Sequence, residues 1–271
     1  MPRGCLAIRP RGLSTPAGGS HPLAERLETT MDPQARWLAY GAAAAAVLAA
    51  LVPAACGLGV RAGVWTSRAG LVGLRLSFFL ALFGAVQAVA ALLVLRPRGA
   101  AGLLAAGALV VSGAVLSLPV LMILQARRVP AIHDVTTDTA DPPAFVAVLP
   151  LRAGAPNAAA YGGPEVAAKQ ARAYPELQPL HLAAAPAAAF EPALAAARAM
   201  SWAIVAADPV AGRIEATATT RWLGFQDDVV VRLRPEGGGT RVDVRSVSRV
   251  GRSDLGTNAR RIREYLARLA G

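Results

Sequence analysis

Three long uncharged runs of apolar residues dominate the first half of the chain, at residues 37–60, 76–95 and 99–124. An α-helix rises about 1.5 Å per residue, so about 20 apolar residues cross a hydrocarbon layer of ~30 Å. All three runs reach that length, and their lack of charge argues against a buried hairpin in a soluble protein. We therefore predict a membrane module at 37–128 with three spanning helices, which can accommodate the internal Pro53 and Pro119.

The segments on either side of this module differ in character. Residues 1–36 are rich in Pro, Gly, Ser and Arg and lack the apolar stretch of a signal peptide, which predicts a disordered tail. Met31 stands directly before the first run, so a translation start at Met31 is a second interpretation. Residues 129–271 are predicted to form one soluble domain. Three spans place the N-terminus and this domain on opposite sides of the membrane, but flanking arginines are too evenly distributed to fix the orientation.

The periodicity of the soluble part predicts strands between helices. Prolines and glycines in 129–186 leave room for one short helix, at about 165–174. An alanine-rich helix then runs to about Met200, with Pro192 acceptable only in its first turn. A side-chain period of two predicts four strands, at 203–207, 212–221, 228–234 and 240–249. A period near 3.6 predicts a last helix at 255–269, capped by Asp254 or Ser253.

The register of the last two strands follows from which side chains it buries. Pairing Leu233 with Val242 buries both and sets Arg232 opposite Asp243 on the solvent face, whereas a slip by one residue would bury Asp243. The predicted fold class is thus a membrane α-helical module plus a small α+β domain, with helices on one face of an antiparallel sheet.

The net charge of +11 points to the membrane rather than to nucleic acid. Twelve arginines against three acids lie in residues 1–128, so most of the excess flanks the apolar runs, where phospholipid headgroups would be. No basic stripe on a folded face is predicted, and we expect no nucleic-acid partner. Both cysteines, Cys5 and Cys56, precede residue 129, so the soluble domain contains neither a disulfide nor a thiolate metal site.

One group of candidate residues begins the soluble domain. His133, Asp134, Thr137 and Asp138 could belong to a metal-dependent or hydrolytic site. A single histidine without a second ligand at metal-site spacing instead favours side chains that hydrogen-bond local backbone. We therefore assign no metal ligand and no catalytic residue.

Charged residues near the C-terminus form a second group. Asp227 and Asp228 are adjacent, so in a strand they point to opposite faces, and ion pairs with Arg245 or Arg249 are favoured over paired acid–base chemistry. Between the last strand and the last helix, an anion such as a lipid phosphate could bind to four residues: Arg245, Arg249, Arg252 and Asn258. The alternative is a cap and turn in which the arginines pair with Asp227, Asp228 and Asp254.

Several motifs in this half resemble a known family. They are IHDVTTD at 132–138 with PP at 142–143, YP at 174–175 followed by PL at 179–180, GFQDD at 224–228, RSVSRVG at 245–251 and DLGTNARRI at 254–262. Their joint order over about 130–269 resembles the bacterial and plastid family called domain of unknown function 1499. The resemblance implies a soluble domain behind membrane helices, on the periplasmic or lumenal side, and implies no activity and no cofactor.

The resulting hypothesis is a multi-pass protein of the bacterial inner membrane with a periplasmic, non-enzymatic domain. That domain would bind a lipid headgroup or an envelope protein partner at the bilayer surface. Two alternatives stay open: an enzyme using His133 and the nearby aspartates, and a scaffold of an envelope complex. Small residues at Gly102, Gly107 and Gly113 would also suit contacts between copies of the chain.

Overall fold

The computed structural model describes residues 33–95 and 99–271, so the predicted tail and the Met31 start lie outside the described residues. Six helices and six strands follow one another along these ranges. The helices are α1 Pro33–Arg61, α2 Ser67–Ala90, α3 Gly99–Arg128, α4 Gly163–Ala173, α5 Pro186–Ala199 and α6 Thr257–Ala270. The strands are β1 Asp134–Thr136, β2 Leu180–Leu182, β3 Ala203–Asp208, β4 Arg213–Thr219, β5 Gln226–Glu236 and β6 Gly239–Ser248.

Among the described residues, three helices are long and apolar enough to cross a membrane: Arg36–Arg61, Ser67–Leu93 and Gly99–Arg128. The second begins nine residues before the uncharged run that predicted it, and its last turn, Ala91–Leu95, is a π-helix. Thr66 caps its first turn by accepting a hydrogen bond from the Ala69 amide at 3.4 Å. Arg68 and Arg75 therefore lie on α2 itself. Long arginine side chains can extend along a helix toward water, so two charges in the first turns are compatible with a spanning helix.

Small side chains allow the three helices to pack closely. One cluster joins Ala39, Ala91, Ala101 and Ala105, and a second joins Ala42, Ala46, Ala88 and Ala108. Gly107 and Gly113 meet open space instead, so neither contributes to packing among the described residues of one chain.

A hydrogen bond from α2 satisfies the backbone carbonyl of α1 that Pro53 leaves without an amide donor. Pro53 has no amide hydrogen to donate to the Ala49 carbonyl, and the Ser77 hydroxyl of α2 donates to that carbonyl at 2.6 Å. The bond fixes α2 against α1 near the soluble domain.

Helix α3 packs along only part of its length. Its buried residues are Ala101, Ala105, Ala108 and Ser112, and every residue from Gly113 to Arg128 is exposed or half-buried. The half of α3 nearest the soluble domain therefore leaves a gap beside α1 and α2.

The soluble domain is built on a six-stranded antiparallel sheet. Its order is β1-β6-β5-β4-β3, and β2 pairs with another part of β6. The four predicted strands are present, while β1 and β2 add two three-residue strands to the edge formed by β6. These two were missed because three residues among prolines give no periodic signal.

The predicted hairpin register is confirmed. Leu233 pairs with Val242, Val231 with Val244, and Arg232 with Asp243. The expectation that Asp243 lies in solvent is wrong, because its carboxylate is fully buried beneath a layer of arginines: Arg232, Arg234 and Arg241.

Helices α5 and α6 cover the other face of the sheet, as the fold class predicted. The Trp202 and Tyr265 rings stack at 5.1 Å, and the Tyr265 hydroxyl donates to the Ala193 carbonyl at 3.0 Å. Pro192 lies in the second turn of α5, later than expected, and the helix continues to Ala199.

Candidate functional site

Arg245 is held inside the domain rather than presented to a ligand. Its guanidinium binds both oxygens of Asp134, at 3.0 and 2.8 Å, and lies over the rings of Phe145 and Tyr161. Arg245 is only 2 % exposed. The pairing of β1 with β6 brings Asp134 beside it. Neither Asp227 nor Asp228 is its partner. The bidentate pair instead fastens the start of the domain to the sheet.

Asp228 lies at the centre of a second buried group. It accepts hydrogen bonds from Arg152 at 2.6 Å, from Arg249 at 2.9 and 2.8 Å, and from Thr217 at 2.8 Å. Burial pushes the pKa of Asp228 upward, but the bonds from Arg249, Thr217 and Arg152 outweigh it and hold the pKa below the ordinary range. No sequence pattern indicated Arg152, which lies in a short 3-10 helix that begins at Pro150.

Asp227 points the other way and joins a polar network under α6. Its carboxylate pairs with Arg261 at 2.6 Å, and Arg261 also donates to Ser246 and Asn258. Asn258 is fully buried and donates to the His133 carbonyl and the Ser248 hydroxyl. The network joins the end of the sheet to the last helix.

The last helix was predicted to be capped by Asp254 or Ser253, but its N-cap position is Gly256, and Asp254 binds the amides at its start from two residues earlier. The carboxylate oxygens of Asp254 accept the backbone amides of Gly256 at 2.8 Å and Asn258 at 2.7 Å. Burial raises the pKa of Asp254, and the hydrogen bonds from the two amides only partly oppose the shift.

The residues around His133 do not converge on a metal site. Thr137 accepts the Val244 amide through its hydroxyl, and Asp138 caps a turn by accepting the amides of Ala140 and Asp141. Asp138 also pairs with arginines of β5 and β6: Arg232, Arg234 and Arg241. Among residues 33–95 and 99–271, no group of three His, Cys, Asp or Glu side chains could hold a metal ion.

Arg252 differs from the other three ligand candidates because its side chain is exposed. It has no hydrogen bond or ion pair within the described part of the chain and lines a cavity of about 420 Å³ beside His133 and Lys169. Arg249 is mostly buried on Asp228, and Arg245 and Asn258 serve internal networks. The four residues therefore form no single surface site.

A loop between β4 and β5 docks the domain onto the membrane helices. The Trp222 indole donates to the Pro53 carbonyl at 3.1 Å and lies so close to Gly57 that an added Cβ would overlap it. Leu223 is buried against Gly70 of α2. On α3, the Gln125 side chain donates to the Leu255 carbonyl at 3.4 Å. All three helices thus contact the domain or its docking loop.

An apolar cleft of about 720 Å³ lies beneath this junction. We call it the junction cleft, and it opens where α3 separates from α2. Its walls include Phe78 of α2 and Val115, Leu118 and Met122 of α3, and Trp222 and Leu255 of the soluble domain close it. Its polar lining residues are Arg75, Ser77, Gln125 and Arg128, and none of the described residues lining it is acidic. Sequence reasoning missed this site, because its walls come from segments far apart in the chain.

The C-terminal domain is similar to a known protein family. Residues 134–269 match the family described as protein of unknown function (DUF1499), over the same region that carried the sequence resemblance. No curated protein and no solved structure gives a significant match. With its C-terminal half covered by that family's profile, the chain belongs to the family of proteins of unknown function called DUF1499.

Proposed function

We propose that this chain is a membrane-anchored lipid-binding protein that holds one anionic membrane lipid in the junction cleft. The observation that carries the proposal is the cleft itself, whose apolar walls belong to spanning helices and whose upper edge belongs to the soluble domain.

The walls fit an acyl chain. The side chains of Phe78, Val115, Leu118 and Met122 present hydrocarbon to the gap, and the ring of Pro119 of α3 lines it as well. A gap between spanning helices is filled by hydrocarbon in a bilayer, since no water is present there to solvate it. An apolar cleft with a few polar groups at one end is also the usual form of a small-molecule site.

The edge fits a negatively charged headgroup. Arg75 and Arg128 have no ion pair or hydrogen bond within the described ranges, and both border the cleft. Two guanidinium groups without a nearby carboxylate favour a phosphate, which arginine binds through paired N–H donors.

The internal ion pairs support binding rather than catalysis. The carboxylates of Asp134, Asp227, Asp228 and Asp138 are each paired with arginine. None of them is free to act as a general base, so we propose a non-enzymatic function. The resemblance at the sequence level supports placing the protein in a bacterial inner membrane with the domain in the periplasm.

Native mass spectrometry of the full chain, purified in mild detergent, tests the proposal. We expect one anionic phospholipid to remain bound through detergent washing. Leu118→Trp fills the cleft and should reduce the retained lipid at least tenfold. Val110→Trp, on the exposed face of the same helix and outside the cleft, should retain it.

The headgroup is tested separately. Arg75→Gln with Arg128→Gln should leave a bound lipid but remove the preference for anionic headgroups. Equal retention by the Leu118→Trp and Val110→Trp variants would overturn the proposal, as would a cleft occupied by another protein in the purified complex.

A further inference from the structure

On the other side of the docking loop lies a second cavity, of about 600 Å³, which we call the loop cavity. The end of α1, the start of α2 and the segment from β4 to β5 enclose it. Both the membrane module and the soluble domain therefore contribute walls.

The polar groups of the loop cavity are hydrogen-bond donors. Arg61 enters from α1 and Arg221 from the docking loop, and neither has a hydrogen bond or ion pair with any described residue. Four residues with hydroxyl groups line the same space: Thr66, Ser67, Thr219 and Thr220. None of the described lining residues is acidic, so the two positive charges are uncompensated there.

Gln226 adds a donor with a fixed orientation. Arg249 donates to its side-chain oxygen at 2.7 Å, which identifies that atom as the acceptor and leaves the amide nitrogen free to donate. Gln226 lines the cavity, so its free nitrogen adds to the donors of the two arginines and four hydroxyls.

We propose that the loop cavity binds a phosphate-type anion, which joins Arg61 of the membrane module to Arg221 of the soluble domain. Paired guanidinium groups and hydroxyls are the donors that bind phosphate oxygens through charge-assisted hydrogen bonds. Bound there, the anion neutralises both arginines and stabilises the docked arrangement of the two parts.

The site is separate from the junction cleft. Ser67, which lines the loop cavity, lies eight residues before Arg75, which borders the cleft, so they are about 12 Å apart along α2. The phosphate could be a free ion or the headgroup of a phospholipid, and both present the same oxygens to the arginines.

Thermal unfolding of the full chain in detergent tests the site, with inorganic phosphate compared with chloride at equal ionic strength. Phosphate at about 10 mM should raise the Tm by about 2–5 °C. Arg61→Gln with Arg221→Gln should abolish the shift. The control pair Arg172→Gln with Arg198→Gln removes equal charge from exposed positions away from the cavity and should retain it.

A second arm distinguishes the two sources. The same variants are compared in nanodiscs of phosphatidylcholine alone and with phosphatidylglycerol. A shift with inorganic phosphate identifies a free-ion site, and a shift with phosphatidylglycerol alone identifies a headgroup site. No arginine-dependent shift in either arm would overturn the inference. Leu118→Trp should leave the phosphate shift unchanged, so this site and the cleft fail independently.

Discussion

Replacing Asp228 by asparagine should be among the most destabilising single changes in the soluble domain. The carboxylate is fully buried and accepts bonds from three side chains: Arg152, Arg249 and Thr217. Asparagine keeps one acceptor oxygen but turns an NH₂ donor toward arginine donors, and it leaves the buried Arg152 charge without a counter-ion.

The size of the effect follows from burial. Removing one partner of a buried ion pair costs about 3–5 kcal/mol. For a domain of this size, one kcal/mol lowers the Tm by about 3 °C, so a loss of about 9–15 °C is expected. Loss of the β-sheet signal in infrared spectra follows unfolding of the domain in the full chain, because all six strands of the described residues lie in that domain.

Asp141→Asn is the matched control. Its side chain is 65 % exposed and also pairs with two arginines, Arg232 and Arg234. Exposed pairs contribute less than about 1 kcal/mol, so its Tm should fall by no more than about 3 °C. Equal losses in the two variants would refute the argument that burial makes the Asp228 group important.

Three further outcomes follow from the structure. The pKa of Asp228 is held below its ordinary value of 3.8, so the stability it contributes is present above that pH and is lost as the pH falls further. The Tm difference between the protein and Asp228→Asn should therefore stay constant from about pH 7 to 5 and narrow below about pH 3.8, and a difference that widens in acid would contradict this. Gly212 and Gly237 share φ +59°, but an added Cβ at Gly212 would come within 2.3 Å of a backbone carbonyl while Gly237 meets open space. Gly212→Ala should thus lower the Tm more than Gly237→Ala does. Equal decreases in Tm would show that the backbone shifts to relieve the contact between the added Cβ and the carbonyl. Ser77→Ala should destabilise the helices by about 1 kcal/mol in detergent unfolding, whereas Ser112→Ala, whose buried hydroxyl has no partner among the described residues, should cost nothing or stabilise them.

The features that the sequence predicted are those set by short-range patterns. A bilayer requires about 20 apolar residues in a row, so the spans near Trp37, Leu76 and Gly99 are visible without a structure. A side-chain period of two likewise fixed the pairing of Leu233 with Val242. The sequence also indicated that Asp254 lies at the start of the last helix, where its carboxylate accepts the Asn258 amide, because such contacts depend on residues within one turn.

The features that it did not predict depend on contacts between distant segments. β1 is a strand only because β6 lies beside it, and Arg152 reaches Asp228 across 76 residues of sequence. Asp243 is charged and lies on the sheet face opposite the helices, so we expected its side chain to be in solvent. In the structure, arginines from two strands and the turn at Asp138 cover it. The junction cleft needs Trp222 placed against Pro53, and no local pattern indicates that contact.

The central claim is that lipid occupies the junction cleft in contact with the soluble domain. Its most direct test is labelling of the full chain, in nanodiscs, by a phospholipid with a photoreactive group in its acyl chain. The account predicts labels on Leu118, Met122 and Phe78 and, because the docking loop closes the cleft, on Trp222. Uniform labelling of the outer faces of the spanning helices, with none on Trp222, would contradict it.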